Sequence, residues 1–374
     1  MRRRILELLG GGASAGLALV GCVGDGADNQ AEVAGRAGDS DSDSGVSGPG
    51  TCTTSKKCFS PAEARHRARV MLDFDAGEED AVAGFASCPT SLPAAGFCTY
   101  YGGLVAGSDD QCCYPETTGS CCGRPLIVEG RTLRAALRLR ADWIARGGVP
   151  ARAALPSALR EALAQAWLED ACFEHASVGS FALFTLDLLA CGAGSELVEA
   201  AQRAALDEVE HARLCFSLAS GFAGRPLGPG TLDCGTRPQT RSLAEATAAA
   251  VREGCVGETL AAIQLQAQLS RAQDPVTCRA LRKIARDEAR HAELAFRFVR
   301  WAVGVGGEQL RSIAALEFSA ALDALESASA PHESSQPEEL WNAYGRLTAA
   351  QAHSVRLHAM REVVEPCAQA LLRS

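Results

Sequence analysis

Two short stretches of this chain share one pattern, which constrains the fold more than any other feature of the sequence. Residues 207–214 (DEVEHARL) and residues 287–294 (DEARHAEL) both read D-E-x-x-H-A-x-L. In each stretch a glutamate and a histidine are three residues apart, so on an α-helix both side chains lie on one face. The repeat therefore predicts two helices that each present a carboxylate and an imidazole together.

Two further glutamates extend the pattern. Glu174 lies upstream of the first stretch and Glu258 upstream of the second, so the order Glu … Glu-x-x-His occurs twice. All four glutamates fall within apolar stripes of helical period, which argues against surface salt bridges as their role. A lone buried carboxylate is costly unless it is paired or binds a metal. The sequence predicts a metal site with six ligands: Glu174, Glu208, His211, Glu258, Glu288 and His291.

At these residues the sequence resembles the ferritin-like superfamily of di-iron carboxylate proteins, over about residues 156–302. The resemblance implies that Glu208 and Glu288 bridge two metal ions. It implies one terminal glutamate and one histidine at each metal, Glu174 with His211 and Glu258 with His291, although which terminal glutamate serves which metal stays open. It also implies that Asp207 and Asp287 orient the ligand histidines across helices.

The ligand set indicates which metals to expect. Four carboxylates nearly neutralise two divalent cations, and hard oxygen ligands with imidazole suit iron or manganese. Two iron ions are therefore the expected cofactor, with manganese as the alternative. The resemblance implies reaction with O2 or H2O2. Because the chain shows no rubredoxin-like C-x-x-C pairs for electron delivery, a ferroxidase or peroxidase-like reaction fits better than hydroxylation. The alternative is a non-catalytic envelope lipoprotein that uses the bundle as a structural or binding module.

Helical periodicity begins at Pro156 and predicts an all-α fold. Residues 156–303 are expected to form a ferritin-like four-helix bundle with a long crossover, and residues 304–374 to form C-terminal helices that pack on it. Residues 51–155 are expected to be a cysteine-rich, disulfide-stapled segment and connector. They hold eight of the sixteen cysteines, an even number that indicates disulfides without fixing their connectivity.

Turn and cap signals place the predicted helix ends. Residues 191–194 (CGAG) end helix one, and the Gly- and Pro-rich residues 221–240 form the crossover between helices two and three. Ser242 with Glu245 three residues later predicts a capping box at the start of helix three. Residues 274–275 (Asp-Pro) predict the cap and first turn of helix four.

The N-terminus carries targeting signals. Residues 1–22 are interpreted as a lipoprotein signal peptide, because an arginine run and a short apolar stretch end in LVGC, which resembles a lipobox with Cys22 as the lipidated residue. An ordinary signal peptide with a chance cysteine is the alternative. The arginine run also resembles the twin-arginine motif, so general secretory and twin-arginine export both stay open.

Composition bounds the partners. Residues 23–50 are rich in Gly, Asp, Ser and Ala and are expected to be a disordered tether. The predicted location is the cell envelope, with a lipid anchor in the membrane and the protein facing the periplasm or the cell surface. A net charge of −9 without basic clusters argues against nucleic acid as a partner. The sequence does not indicate the oligomeric state or catalytic residues beyond the ligands.

Overall fold

The computed structural model describes residues 1–8, 53–61, 99–101, 106–107, 111–118, 124–128, 131–145, 150, 155–232, 240–327 and 337–373. Over these residues the protein is mostly helical, in agreement with the predicted all-α class. Cys22, the predicted tether and much of the cysteine-rich segment lie outside the described residues. None of the described helices carries an apolar stretch of the length needed to cross a bilayer.

Short elements precede the long helices. Helix α1 (Arg2–Leu8) contacts the helical core through Ile5, which is fully buried. Seven short strands follow: β1 (Thr53–Phe59), β2 (Thr99–Tyr101), β3 (Ala106–Gly107), β4 (Cys112–Thr118), β5 (Ile127–Val128), β6 (Arg131–Thr132) and β7 (Leu137–Arg138). Strand β4 pairs antiparallel with β1 on one side and with β2 and β3 on the other, and β5 pairs with β6.

A disulfide crosses the first of these sheets. The register of β1 and β4 sets Cys58 opposite Cys113, and the two are joined. Cys112 is disulfide-bonded as well. The prediction of a disulfide-stapled segment is therefore confirmed for Cys58 and Cys113, the one pair that the described residues define.

The helices that follow have these bounds: α2 (Ser157–Ala190), α3 (Ser195–Ala223), α4 (Leu243–Ala249), a π-helical segment (Ala250–Glu258), α5 (Thr259–Leu269) and α6 (Pro275–Ser327). Helix α2 packs along α3, and α4, the π-helical segment and α5 pack along α6. Because α3 also contacts α6, the two helical pairs face each other. Between α3 and α4, strand β8 (Gly228–Pro229) pairs with β7, so the crossover is tied to the N-terminal segment.

The predicted helix ends agree with the structure at the residues that carry the signals. Gly192, at φ 71°, lies two residues after Ala190, the last residue of α2. Ser242 and Glu245 form a capping box at α4, each side chain bonding the backbone N–H of the other residue. Asp274 accepts a hydrogen bond from the backbone N–H of Thr277 at the start of α6, at 2.8 Å. These caps satisfy backbone groups that a helix end otherwise leaves without partners.

Helix α6 is broken by a kink close to the predicted boundary between residues 303 and 304. Its two helical parts meet at Gly307, whose φ of 61° and ψ of −141° are not helical. A glycine adopts such a conformation without the steric cost that a side chain would add. The C-terminal region is a broken helix, consisting of α7 (Glu338–Ala343), α8 (Ala349–Ala359), a second π-helical segment (Met360–Val364) and α9 (Glu365–Arg373).

The apolar core falls into two clusters at opposite ends of the long helices. In α2 the clusters are separated near Glu174, in α3 near Glu208 and His211, and in α6 near Glu288 and His291. Trp341 and Tyr344 pack against one of the clusters, as predicted for the C-terminal region. The polar residues of the repeat therefore lie in the interior, between two apolar layers.

Candidate metal centre

The six predicted ligands converge inside the helical core. One group of ligand atoms comes from Glu174, Glu208, His211 and Glu288, and the other from Glu208, Glu258, Glu288 and His291. Within each group the ligand atoms lie within 4.8 Å of one another. Each group could hold a metal ion, and Glu208 and Glu288 belong to both. We call the group with Glu174 and His211 the first metal position and the group with Glu258 and His291 the second.

Both imidazoles direct Nδ1 at the carboxylates. His211 Nδ1 lies 3.2 Å from an oxygen of Glu288, and His291 Nδ1 lies 3.1 Å from an oxygen of Glu208. Each histidine therefore approaches the glutamate of the other repeat as well as its own. This crossing follows from helices α3 and α6 lying side by side with the same D-E-x-x-H pattern.

The outer nitrogen of each imidazole meets an aspartate of the opposite helix. His211 Nε2 lies 3.2 Å from Asp287 Oδ2, and His291 Nε2 lies 3.4 Å from Asp207 Oδ2. The predicted cross-helix pairing is therefore present in the structure. An ionised carboxylate can only accept, so Nε2 donates the hydrogen bond, and Nδ1 is the nitrogen that would bind a metal once its proton has left.

Two positively charged side chains contact these aspartates from the solvent side. Arg290 donates to Asp207 at 2.8 Å and lies 2.7 Å from Asp287. Lys283 contacts Asp287 closely and lies 3.6 Å from Asp207 and 2.8 Å from Glu210. Sequence reasoning missed this cation pair, although Lys283 stands four residues before Asp287, a spacing that favours ion pairs on a helix.

Electrostatics divide the four glutamates into two kinds. Burial and the neighbouring carboxylate of Glu208 raise the pKa of Glu174 well above its ordinary value. Burial and the carboxylate of Glu288 do the same to the pKa of Glu258. Burial opposes ionisation of Glu288 too, but its close contacts with Glu258, His211 and His291 lower its pKa well below the ordinary value. The glutamates shared by the two positions are thus the ones that stay ionised.

The imidazoles carry the matching positive charge in the ion-free protein. Burial lowers the pKa of His211, but Glu208 and Asp287 outweigh it and raise the pKa well above its ordinary value. The pKa of His291 is raised in the same way, because Asp207 and Glu208 outweigh burial. In the metal-free protein, protons on the two histidines therefore balance the charge of the carboxylates, and a divalent metal would displace these protons.

The donor atoms fit such a metal. Within the described part of the chain, six inward-facing atoms of the site are buried and make no hydrogen bond: Glu208 Oε2, Glu258 Oε1, Glu258 Oε2, Glu288 Oε2, His211 Nδ1 and His291 Nδ1. Buried polar atoms are normally satisfied, so this concentration calls for a ligand. The groups contain carboxylate oxygen and imidazole nitrogen and no thiolate, a donor set for hard or intermediate divalent cations.

The two positions differ in access to solvent. The side chain of Glu174 is 18% exposed, whereas that of Glu258 is 1% exposed. The ring of Phe181 lies edge-on to His291, with centroids 5.0 Å apart. The first position therefore opens toward solvent and the second is enclosed.

One buried residue beside the second position was missed from the sequence. Arg124, from the cysteine-rich segment, lies with its Nε 3.6 Å from Glu258 Oε1. The prediction treated residues 51–155 as a separate stapled segment, and no periodic pattern marks a single inserted arginine. The stripes identified the glutamates because each lies on a helix with its apolar neighbours.

Comparison of this chain with protein-family models, with curated proteins and with solved structures finds no match. The functional argument therefore rests on the geometry and chemistry of the two metal positions.

Proposed function

We propose that this protein holds a dinuclear iron centre, or a dinuclear manganese centre as the alternative, in a ferritin-like four-helix bundle. The observation that carries the proposal is the sharing of Glu208 and Glu288 by two overlapping groups of four ligands. Two groups that share two carboxylates place two ions side by side, as in bundles with four glutamates and two Glu-x-x-His histidines. The proposed reaction is with O2 or H2O2, of the ferroxidase or peroxidase-like kind.

Each side chain has a role in the proposal. Glu208 and Glu288 would be shared by both ions, Glu174 and His211 would complete the first position, and Glu258 and His291 would complete the second. Asp207 and Asp287 hold the outer imidazole protons and so keep each Nδ1 directed inward. When bound, the metal ions supply the change of oxidation state and the affinity for O2 or H2O2 that the side chains lack.

The surroundings support a redox role for the proposed centre. The apolar layers on either side exclude water. The partial exposure of Glu174 gives a small oxidant a way to the first position.

The N-terminal signals support a location at the cell envelope. In this proposal Cys22 carries the lipid, residues 23–50 are the tether, and the helical domain faces the periplasm or the cell surface. The disulfide between Cys58 and Cys113 favours an oxidising compartment of this kind.

A second candidate is a structural metal centre without turnover, in a lipoprotein that acts as a binding module. The enclosure of the second position favours this candidate, because Glu258 is almost fully buried beside a permanently charged arginine. In that case both ions would stabilise the fold and neither would consume an oxidant.

Elemental analysis of the full chain tests the proposed centre. We expect about two iron or manganese ions per chain, and less than one in Glu208→Gln and in Glu288→Gln, because each change removes a ligand from both positions. Glu199→Gln is the matched control, since this glutamate lies on the same helix α3 but is exposed and pairs with Arg203. Wild-type chain without metal would contradict the proposal.

Oxidant consumption then separates the two candidates. After anaerobic loading with Fe(II), the wild type and Glu199→Gln are expected to consume O2 or H2O2, and Glu208→Gln is not. Full metal occupancy with no oxidant consumed would favour the structural centre.

A further inference from the structure

Arg124 enters the helical core from outside it. Its backbone oxygen accepts a hydrogen bond from Ser177 Oγ on α2 at 2.7 Å. Two residues later, Leu126 is 1% exposed and packs against Gly179 of the same helix. A Cβ added to Gly179 would lie 3.0 Å from the Leu126 side chain. These two contacts hold the residues after the cysteine-rich segment against α2, so the arginine side chain can only point inward.

The guanidinium occupies a pocket built for it. Its central carbon lies 4.7 Å from the ring centroid of Phe181 and 4.5 Å from that of Phe184. On the third side is Gly254, where a Cβ would come within 2.7 Å of Nη2 and within 2.3 Å of Ala295. A glycine is therefore required at residue 254 for the arginine and α6 to approach together.

Two carboxylates of the π-helical segment face the guanidinium. Nε lies 3.6 Å from Glu258 Oε1, and Nη1 lies 3.8 Å from Glu253 Oε2. Residues 253 and 258 are five apart, the hydrogen-bonding interval of a π-helix, so the wider turn brings both to one side. The π-helical turns therefore occur at the segment that presents Glu258 to the second metal position.

The charges assign Arg124 mainly to Glu258. Arginine stays protonated, and its buried charge requires a carboxylate nearby. Glu253 already has a second cation, because Arg241 lies 3.6 Å from its other oxygen. Glu258 has no cationic partner but Arg124 among the arginine and lysine pairs of the described residues. Since Nε, Nη1 and Nη2 make no hydrogen bond, the guanidinium acts on Glu258 as a fixed charge.

We propose that Arg124 is a positioning residue of the metal centre, which fixes the carboxylate of Glu258 and makes the second metal position depend on the segment before the helices. This inference rests on the proposed function. A fixed positive charge also repels a nearby cation, so the opposite result, tighter metal binding without Arg124, is a defined alternative. We expect fixation of the ligand to prevail, because among the described arginines and lysines only Arg124 pairs with Glu258.

Metal titration of the full chain with Mn(II) tests the proposal, with binding stoichiometry and the electron paramagnetic resonance spectrum as readouts. Wild type is expected to bind about two ions per chain and to show a spin-coupled pair, since bridging carboxylates couple the ions. Arg124→Gln is expected to bind about one ion and to show the spectrum of isolated Mn(II). The first metal position should keep its affinity.

Three further variants sharpen the test. Arg140→Gln is the matched control, because this arginine also joins the N-terminal segment to the helical body, donating to the backbone oxygen of Pro229, but lies far out at the surface. It should bind two ions. Glu258→Gln should reproduce the one-ion state, and adding Arg124→Gln to it should change nothing more. Arg124→Lys, which keeps the charge on a shorter head group, should bind the second ion about tenfold more weakly.

Each outcome decides between the proposals. Arg124→Gln with two ions at wild-type or higher affinity would overturn the role of Arg124 and leave the proposed function standing. Loss of both ions from a folded Arg124→Gln chain would also overturn it, because the effect would not be confined to the second position. If Arg124→Gln does not fold, wild-type affinity in Arg124→Lys would overturn it. Wild type without metal would overturn the proposed function itself.

Discussion

The two imidazoles of the candidate metal centre contact aspartates of unequal burial. Asp287 is fully buried and is approached by Lys283 and Arg290. Burial raises the pKa of Asp287, but hydrogen bonds with His211 and Lys283 outweigh it, so the pKa falls below the ordinary value. Asp207 is 20% exposed and lies farther from its imidazole. The hydrogen bond to His211 is therefore the better shielded from water.

At the scale of the residue we predict that Asp287→Asn weakens metal binding more than Asp207→Asn does. Loss of such a carboxylate typically costs about 10- to 100-fold in metal affinity, and we expect Asp287→Asn near the upper end. Titration with Mn(II) measures both affinities. Asp142→Asn, an exposed change at an aspartate that pairs with Arg140, should leave them unchanged. Equal losses at Asp207 and Asp287 would show that burial does not set the effect.

Individual residues of the site were predictable to different degrees. Glu174, Glu208 and Glu288 could be predicted because helical periodicity places a side chain relative to its neighbours on the same helix. Arg124 could not, since its position depends on how a distant, irregular segment docks between Phe181 and the π-helical segment. Local pattern carries no information about such an insertion.

At the scale of the element, the bend in α6 offers a paired test. Gly307 has φ 61° and ψ −141°, a conformation that an L-residue adopts at a cost of about 1–3 kcal/mol. Gly304, one turn earlier, is helical and exposed, and an added Cβ there would meet open space. We predict that Gly307→Ala destabilises the protein by about that amount. Gly304→Ala should stabilise it by about 0.5–1 kcal/mol, because alanine favours the helix.

Chemical denaturation of both variants checks this pair. No neighbouring heavy atom lies within 4 Å of the added methyl group at either glycine. The difference in unfolding free energy between the two variants therefore reports on the backbone and not on packing. Two variants with the same sign of change would contradict the assignment of the bend to the backbone of Gly307.

Elements with local end signals were predicted well, and the others were not. The capping box at Ser242 fixed the start of α4, and Gly192 marked the end of α2. The π-helical segment gave no such signal, because it continues directly from α4 into α5 without a capping side chain or a turn. The kink of α6 at Gly307 lies close to the predicted boundary between residues 303 and 304.

At the scale of the whole molecule, the protons of the centre set a pH dependence of stability. The pKa values of His211 and His291 are raised above 6.5, because the neighbouring carboxylates outweigh burial. The pKa values of Glu174 and Glu258 are raised above 4.5 by burial and by the neighbouring carboxylates together. The folded ion-free chain therefore holds protons that the unfolded chain has released. That stability is present below the unfolded values and is lost as pH rises through the folded ones.

The shared glutamates act with the opposite sign. The pKa values of Glu208 and Glu288 are lowered below 4.5, so their stability is present above that value and is lost as the pH falls. We predict that the free energy of unfolding of the metal-free protein is highest near pH 4.5 and is lower at pH 8 than at pH 5.5. Denaturant titrations at pH 5.5 and 8 measure it. Equal stability at both values would contradict the prediction.

Metal should remove this dependence. Divalent ions replace the protons and bind the folded chain alone, which adds about 2.7 kcal/mol at a free concentration one hundred times the Kd. With Mn(II) present, stability at pH 8 should rise more than stability at pH 5.5. The same titration of Glu208→Gln should show no such gain.

The unequal burial of Glu174 and Glu258 has a kinetic consequence. The side chain of Glu174 is 18% exposed, whereas that of Glu258 is 1% exposed and has Arg124 beside it. In the proposed centre, an ion entering the second position would pass the first position and would leave by the same route. We therefore expect the two ions to bind in sequence and to leave in reverse order, so that a chelator removes one ion promptly and the other only after the first has gone.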